Sequence, residues 1–414
     1  MILRITLVAA LGATCITPAF SHWDFTVDGH NVQVHSFASQ GFMYSNQNNY
    51  MTMPTSDGSP AFTDFGVNAS VQLTDKFRVG AQIYDRNIGK IGEWYPSLDW
   101  AVADYKFKSW FGIRGGKVKT TLGLYNDTQD VEFLSTWALM PQSLYSLDQR
   151  GATINHEGGD IYGNVEAKKM GSFSYTVYGG FRPNDPHGGY VYALDTSTKT
   201  VYDPNGVYIV APSTARTITD YSGPTYGADF RWTTPVKGLL VGTSYLNQKP
   251  TTTGYFFAGD VPYYIRTIHD NTNAYYTEYT LGNFRFDGEY RREPVTITTT
   301  TPTGAVTAPS GRDGRSGYVA ASYRISKLIE VGAYESRFIQ NWGVQHGDPR
   351  NHIFDQALTV RFDLRNWLDL KVEGHFMDGY MTSALESRGF YVADNPTGLK
   401  PSTHLLVIRL GYHL

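Results

Sequence analysis

The sequence predicts an all-β chain that forms a transmembrane antiparallel β-barrel of about 16 strands, with short periplasmic turns and long extracellular loops. Three features predict it. Apolar and polar residues alternate with period two, very short turns alternate with long polar connections, and Leu405–Leu414 forms a last alternating strand. After residue 21, no apolar run approaches the ~20 residues that a membrane-spanning helix needs. The mean hydropathy of −0.33 agrees with a barrel, because only every second residue of its strands faces lipid.

The N-terminal residues predict export. Residues 1–21 have the pattern of a secretory signal peptide, with an apolar run at residues 5–13 and a small-residue exit just before His22. Cleavage there leaves residues 22–414 as a single outer-membrane β-barrel domain without a linker. A lipid anchor on Cys15 is the alternative, but the residues before this cysteine fit the required pattern poorly.

Composition and motifs argue against several classes of function. Without Arg4 of the leader the net charge is −4, one unit below the −3 of the full chain, so no nucleic-acid partner is expected. Cleavage would also remove Cys15, the one cysteine, so we expect no disulfide and no thiolate metal site. No other metal site and no cofactor are expected. The loop His346–His352 lacks closed metal-ligand spacing. No nucleophile elbow, zinc-protease helix or phosphate-binding loop is found, so the protein is not expected to be an enzyme.

Seven hairpins and two single strands give the strand count. The first strand is predicted at Val32–Tyr44 and the last at the C-terminus. The short turns are predicted at Thr74–Lys76, Lys108–Trp110, Lys168–Ser172, Thr234–Gly238, Leu281–Asn283, Ser326–Lys327 and Leu364–Asn366. The long connections are predicted at residues 45–63, 88–97, 124–158, 182–223, 248–272, 294–314, 340–351 and 378–402. Counts of about 14 or about 18 are the alternatives, mainly because Thr253–Asn273 could contain a further strand.

The last strand shows how the two faces of the barrel are told apart. Leu406, Ile408 and Leu410 lie on one side of it, whereas Val407 and Arg409 lie on the other. Such an apolar edge would aggregate in water unless it paired with the first strand and closed the barrel. Aromatic residues next to the short turns predict an interfacial girdle, with ordinary β-rich sequence as the alternative; they are Phe77, Phe173, Trp232, Phe284 and Phe362.

Charged residues recur on the face opposite the apolar one. Unpaired ions in a dry core cost several kcal/mol each, whereas a water-filled lumen removes that cost. The predicted pore wall comprises Arg78, Arg231, Arg285, Glu289, Arg361, Lys371, Glu373 and Arg409. The alternative is a soluble sandwich that carries these charges outside, which the leader and the last strand disfavour.

The third long connection carries the densest pattern of charges. Arg114, Lys117 and Lys119 precede it, and we expect a bulge at Gly115-Gly116 to bring all three onto the lumen side. Its first part carries three acids, Asp127, Asp130 and Glu132. If the loop folds into the barrel, these six residues could face one another across a pore constriction and impose a transverse field. The alternative is that the acids are solvated or pair with nearby bases and pin the loop.

Several sequence words resemble Gram-negative outer-membrane porins. They are Gly-Lys-Val-Lys from Gly116, Gly-Leu-Tyr-Asn-Asp from Gly123, Leu-Met-Pro-Gln-Ser from Leu139, the run His35–Ser45 and the terminal strand. The likeness is to uncharacterised porin-like proteins and, more loosely, to phosphate-selective porins. Acidic residues accompany the basic ones along the strands, so no continuous cationic ladder is present and no phosphate-binding residues are assigned.

The resemblance implies an outer-membrane porin of Gram-negative cells, with a third loop folded inward between the fifth and sixth strands. Such a protein would be a passive diffusion channel for small hydrophilic solutes or ions, embedded in outer-membrane lipid and assembled as a homotrimer. The sequence leaves open the solute and the preference for anions or cations. A non-conducting barrel that acts as a surface receptor, adhesin or structural protein is the alternative.

Overall fold

A computed structural model of the chain describes residues 23–193, 200–202, 208–210, 216–256, 262–300, 304, 306, 308–344, 347–381 and 388–414. The predicted signal peptide and His346 lie outside these residues. Within the described part, no helix combines the length and apolar character needed to cross a membrane.

Sixteen antiparallel strands form one closed barrel. They are β1 (His30–Ser45), β2 (Ser59–Thr74), β3 (Phe77–Ile88), β4 (Ser97–Lys108), β5 (Phe111–Lys119), β6 (Asn155–Glu166), β7 (Ser172–Arg182), β8 (Arg216–Thr233), β9 (Leu239–Gln248), β10 (Pro262–Leu281), β11 (Phe284–Thr300), β12 (Ser310–Arg324), β13 (Ile329–Ile339), β14 (His352–Arg365), β15 (Leu368–Asp378) and β16 (Ser402–His413). Each strand pairs with its neighbour in sequence, and β16 returns to β1 through the register Phe37–His413 to Ser45–Leu405. The predicted class and strand number are therefore confirmed.

Several short elements lie outside the sixteen barrel strands. A strand at Trp23–Val27 forms a hairpin with the start of β1. Two short strands, Thr200–Tyr202 and Tyr208–Val210, pair with each other beyond β7. A helical segment covers residues 189–193. The 3-10 turns are Thr55–Asp57, Glu132–Leu134, Arg150–Ala152, Lys168–Met170 and Val392–Asp394.

All seven predicted short turns lie at one rim of the barrel, and the long connections lie at the other. The prediction for residues 248–272 was wrong in detail, because much of this stretch is strand. Thr251–Phe256 continues β9 beyond a break at Pro250, and it pairs with the long upper parts of β8 and β10. Proline cannot donate a ladder hydrogen bond, which explains the break. Tyr263–Ile265 thus extends β10 and adds no further strand.

The side chains alternate as the period-two pattern predicts. On β16, Leu406 and Leu410 are exposed on the outer face, whereas Val407 and Arg409 are buried inside. Near the short turns, the rings of Phe173 and Trp232 stack at a centroid distance of 5.9 Å. Phe173 stands in register with Trp232, so it shares the outer face, which its own alternation had not revealed.

Inside the barrel, the long-loop half contains an apolar cluster that alternation did not predict. Inward residues of β1, β2, β3 and of β13 to β16 pack there against the connections β1–β2 and β15–β16; the large members include Met43, Phe62, Phe338, Met377, Tyr50, Met51 and Phe390. The two connections pack closely at Gly389, where only a residue without a side chain fits: a Cβ at this position would lie 2.4 Å from the Tyr50 ring. One side of the lumen is therefore filled by side chains.

Candidate functional site: the loop inside the barrel

The connection between β5 and β6, residues 120–154, folds into the barrel and contacts its inner wall on both sides. We name this segment the inner loop. The predicted bounds, Tyr125–His156, were displaced, because Asn155 and His156 already pair with Lys119 and Val118 in the ladder of β5 and β6. The two ends of the loop are fastened by Asn126, whose amide donates to the carbonyl oxygens of Thr120 at 2.8 Å and Thr153 at 2.7 Å.

The far wall of the barrel holds the backbone of the inner loop. The Glu373 carboxylate of β15 accepts hydrogen bonds from the amides of Ala138 at 3.0 Å and Leu139 at 2.9 Å. Arg409 of β16 donates to the carbonyl oxygen of Ala138 at 3.0 Å. Arg361 of β14 donates to the carbonyl oxygens of residues 133 and 135 at 2.8 and 2.6 Å. The Glu373 carboxylate and the two guanidinium groups of this wall thus all form hydrogen bonds with the main chain of the inner loop.

A buried ion pair joins the tip of the loop to the same wall. Lys371 of β15 pairs with the Glu132 carboxylate, and its ammonium also donates to the Glu132 carbonyl oxygen at 2.8 Å. The Lys371 side chain is 0% exposed. Burial acts to raise the pKa of the Glu132 carboxyl, but the cations Lys371, Arg409 and Arg361 outweigh burial and hold this pKa below its ordinary value of 4.5.

The wall formed by β8 and β11 binds the start of the inner loop. Glu289 of β11 accepts hydrogen bonds from the Leu124 amide at 3.1 Å and from the Tyr145 hydroxyl. Arg231 of β8 donates to the carbonyl oxygen of Gly123 at 2.9 Å, and Arg285 of β11 donates to the Tyr125 hydroxyl at 2.6 Å.

Seven of the eight predicted wall residues therefore bond directly to the inner loop; they are Arg231, Arg285, Glu289, Arg361, Lys371, Glu373 and Arg409. The exception is Arg78, which donates to the Ser70 hydroxyl at 2.8 Å near the short-turn rim. Sequence parity located the inward charges, and the structure places a loop, rather than bulk water, against most of them.

Lys119 and Asp130 do not face each other across a gap, as the constriction hypothesis expected. Their charged atoms are 2.8 Å apart, and both groups also belong to a cluster with Asp99 and Arg150. Arg150 pairs with Asp99 at 2.6 Å. The opposed charges thus attract each other directly and pin the loop to its own stem. Asp99 was missed by sequence analysis, because an irregularity in the register of β3 and β4 turns this residue inward.

The remaining three predicted residues lie in different surroundings. Arg114 faces the lumen and pairs with Asp160 at 2.9 Å. Lys117 stands in register with Ala101 of β4 and Glu157 of β6. The register with β4 is continuous at Gly115-Gly116, although Gly116 has a φ of +127°, and the placement of Lys117 in the lumen stays a prediction. Burial raises the pKa of the Asp127 carboxyl, against the lowering effect of Arg231.

Asp148 of the inner loop connects several other loops, which sequence analysis did not find. Its carboxylate accepts hydrogen bonds from the Gly389 amide at 2.8 Å and the Tyr391 hydroxyl at 2.7 Å, both in the β15–β16 connection. Its carbonyl oxygen accepts one from the Gly189 amide at 2.9 Å, beyond β7. The inner loop is thus bonded to the long connections as well as to the barrel wall.

Cavities lie on both sides of the inner loop. The one toward the long loops has about 750 Å³ of empty space and is lined by Gln129, among others. The one toward the short turns has about 640 Å³ and is lined by Thr128. Along β11, Arg291 faces the first cavity, Glu289 bonds to the loop, and Arg285 faces the second. The loop therefore stands between the two cavities at the level of Glu289. Among the described residues, no group of His, Asp or Glu side chains is arranged to hold a metal ion.

Comparison with known proteins gives structural matches only. No model of a protein family and no curated protein matches the sequence. The fold is similar to OmpT, an outer-membrane protein of Vibrio cholerae, at 12% identity and a TM-score of 0.55 over 95% of this chain and 100% of that one. It is also similar to an anion-selective porin from Comamonas acidovorans, at 12% identity and a TM-score of 0.53 over 93% and 100% of the two chains. A third match is OmpF of Salmonella typhi in complex with daunomycin, at 11% identity and a TM-score of 0.53 over 95% and 100%. At these identities the likeness shows a Gram-negative porin-like barrel fold, and no more.

Proposed function

We propose that this chain is an outer-membrane porin through which small hydrophilic solutes or ions diffuse passively, with the inner loop as its constriction. The observation that carries the proposal is the position of residues 120–154, which cross the barrel interior and stand between two cavities. In this proposal the leader directs export, the short turns face the periplasm and the long loops face outward, as barrel assembly requires.

The position of the passage follows from the packing. Apolar side chains fill the lumen beside β1 to β3 and β13 to β16, whereas the long-loop cavity is lined by β7 to β12 and has Arg182, Gln248 and Asp270 in its wall. Water and small polar solutes partition into the polar side, because an apolar constriction excludes them. The porin therefore conducts through an off-centre path beside β11.

Single-channel recording with the refolded chain in planar bilayers tests the proposal. We expect stepwise ohmic openings. A cysteine placed at Gln129, in the long-loop cavity, should make the current sensitive to an anionic methanethiosulfonate reagent. The matched control is Val319→Cys, whose side chain is exposed on the outer face. Equal responses of the two variants would place the ion path elsewhere.

The charge of the constriction can be tested at Lys119, which lies in the cluster with Asp99 and Asp130. Lys119→Gln should shift the reversal potential in a salt gradient toward cation preference. Arg337→Gln is the control, since the Arg337 side chain on the outer face of β13 is 64% exposed. An unchanged reversal potential in Lys119→Gln would remove this cluster from the constriction.

A second candidate function is a non-conducting barrel that serves as a surface receptor, adhesin or structural protein. The apolar cluster in the long-loop half and the many bonds to the inner loop favour it, because they occupy much of the lumen. A correctly inserted but electrically silent barrel would support this candidate over the porin.

Trimer formation is a further part of the proposal. Ala69, Ala81 and Ala101 stand in register on neighbouring strands, so β2, β3 and β4 share a small-residue patch on their outer face. Such a patch allows two barrels to approach closely. An OmpT structure of Vibrio cholerae is described as a trimer form. A monomer in mild detergent by light scattering would contradict this part alone.

A further inference from the structure

The cavity on the long-loop side of the inner loop has an excess of cationic side chains. Its charged wall residues are Arg182, Arg291, Arg312, Arg388, Asp270 and Glu293. Counting Glu289, which pairs with Arg291 at 2.6 Å, four guanidinium groups stand against three carboxylates in a partly enclosed space. Low-dielectric walls strengthen the resulting potential, so the cavity attracts anions.

Two of these arginines have buried donors that find no acceptor within the described part of the chain. Arg182 of β7 donates from Nη1 to the Tyr221 hydroxyl at 2.6 Å, but no described residue accepts a hydrogen bond from its Nε. The Nε of Arg388 likewise has no partner among the described residues, and its Nη2 is 3.8 Å from a Glu293 carboxylate oxygen. The two residues are only 5% and 9% exposed. Buried donors are normally satisfied, so these two call for an acceptor.

A third donor belongs to the inner loop itself. The side-chain amide nitrogen of Gln149 is buried, and no residue in the described part of the chain accepts a hydrogen bond from it; Gln149 is 8% exposed and lines the same cavity. Donors from a barrel strand, the inner loop and the β15–β16 connection therefore line one space. Arginine presents a fork of N–H groups that matches a carboxylate, and the Gln149 amide adds a neutral donor.

The rest of the wall is partly apolar. Leu144, Pro250, Ile268 and Val295 line the same cavity as the arginines. A fully hydrated inorganic anion gains nothing from such groups, whereas the hydrocarbon part of an organic anion loses water-exposed area against them. The combination of unpartnered guanidinium donors and aliphatic walls is typical of a site for an amphipathic anion.

We propose that this cavity binds a small organic carboxylate, held at its charged end by Arg182, Arg388 and Gln149 and at its carbon skeleton by the aliphatic wall. The inference deepens the proposed porin function, because it names the class of solute that the passage favours. The aliphatic wall distinguishes the site from one for phosphate or chloride.

Binding and conduction are measured separately. Full-length refolded protein in detergent is titrated with benzoate by ligand-observed NMR, with benzyl alcohol as the neutral ligand and inorganic phosphate as competitor. We expect benzoate to bind more tightly than benzyl alcohol, and phosphate to displace it poorly. Arg182→Gln and Arg388→Gln should each weaken benzoate binding about tenfold, the effect of one hydrogen bond to a charged group. Arg337→Gln, on the outer face, is the control.

Each outcome decides between the two proposals. Unchanged benzoate affinity in both glutamine variants, equal binding of benzyl alcohol, or equal displacement by phosphate would overturn the carboxylate site. Heat-modifiable migration on gels shows whether each variant has folded, and the second arginine variant covers a failure of the first. Benzoate binding to an electrically silent barrel would sink the porin and keep the site; conduction without any benzoate binding would do the reverse.

Discussion

Replacing Glu373 should release the inner loop from the far wall. This carboxylate accepts hydrogen bonds from the amides of Ala138 and Leu139 and pairs with His375 at 2.9 Å, and its side chain is 0% exposed. In Glu373→Gln one carboxylate oxygen becomes an N–H donor that faces an amide N–H, so at least one charged hydrogen bond is lost. Such a bond contributes about 1.5–3 kcal/mol. A loss of about 2 kcal/mol raises the population of the detached loop about 30-fold.

Amide hydrogen exchange of the refolded protein measures this detachment directly. The protection of Ala138 and Leu139 should fall about 30-fold, while the strand amides of β15 stay protected. In single-channel recordings the variant should show more frequent openings of higher conductance. Glu335→Gln, on the outer face of β13, is the control. If exchange at the two amides were unchanged in a folded variant, Glu373 would not anchor the loop, and the reasoning from these contacts would fail.

Three further perturbations test the same loop. Lys371→Ala leaves Glu132 buried without its cation and should lower the unfolding free energy by about 3–5 kcal/mol, whereas the double change Lys371→Met with Glu132→Leu should recover most of it in denaturant titrations. The Glu132 pKa lies below 4.5 in the folded chain, so this anchor stabilises the loop above pH 4.5 and is lost as the pH falls through the lowered value. The protection of amides 132–136 against hydrogen exchange, relative to the unstructured chain, should therefore fall in acid. Protection that stays the same across this pH range would refute it. Asp148→Ala removes the acceptor of Gly389 and Tyr391, so a protease added to intact cells should cut the β15–β16 connection faster than in the wild type.

Much of the barrel could be predicted because its causes are local. Alternation places Leu406 outward and Arg409 inward through the geometry of a single strand, and a short turn such as Thr74–Lys76 sets the pairing of β2 with β3. The same rule found the inward charges of the wall. It missed Asp99, because an irregularity in the register of β3 and β4 turns this residue inward.

What lies inside the barrel was decided by the tertiary structure. Glu373 accepts a hydrogen bond from the Leu139 amide, although the two residues are 234 positions apart in the sequence and no periodicity links them. The sequence could not tell whether an inward charge meets water or a loop, because both satisfy an ion. It also could not show that Met43 and Phe62 pack against inward-folded connections, since an apolar residue at an inward position has no partner within its own strand. Closing the sheet brings distant loops over these side chains, and that packing sets where the lumen is filled and where it stays open.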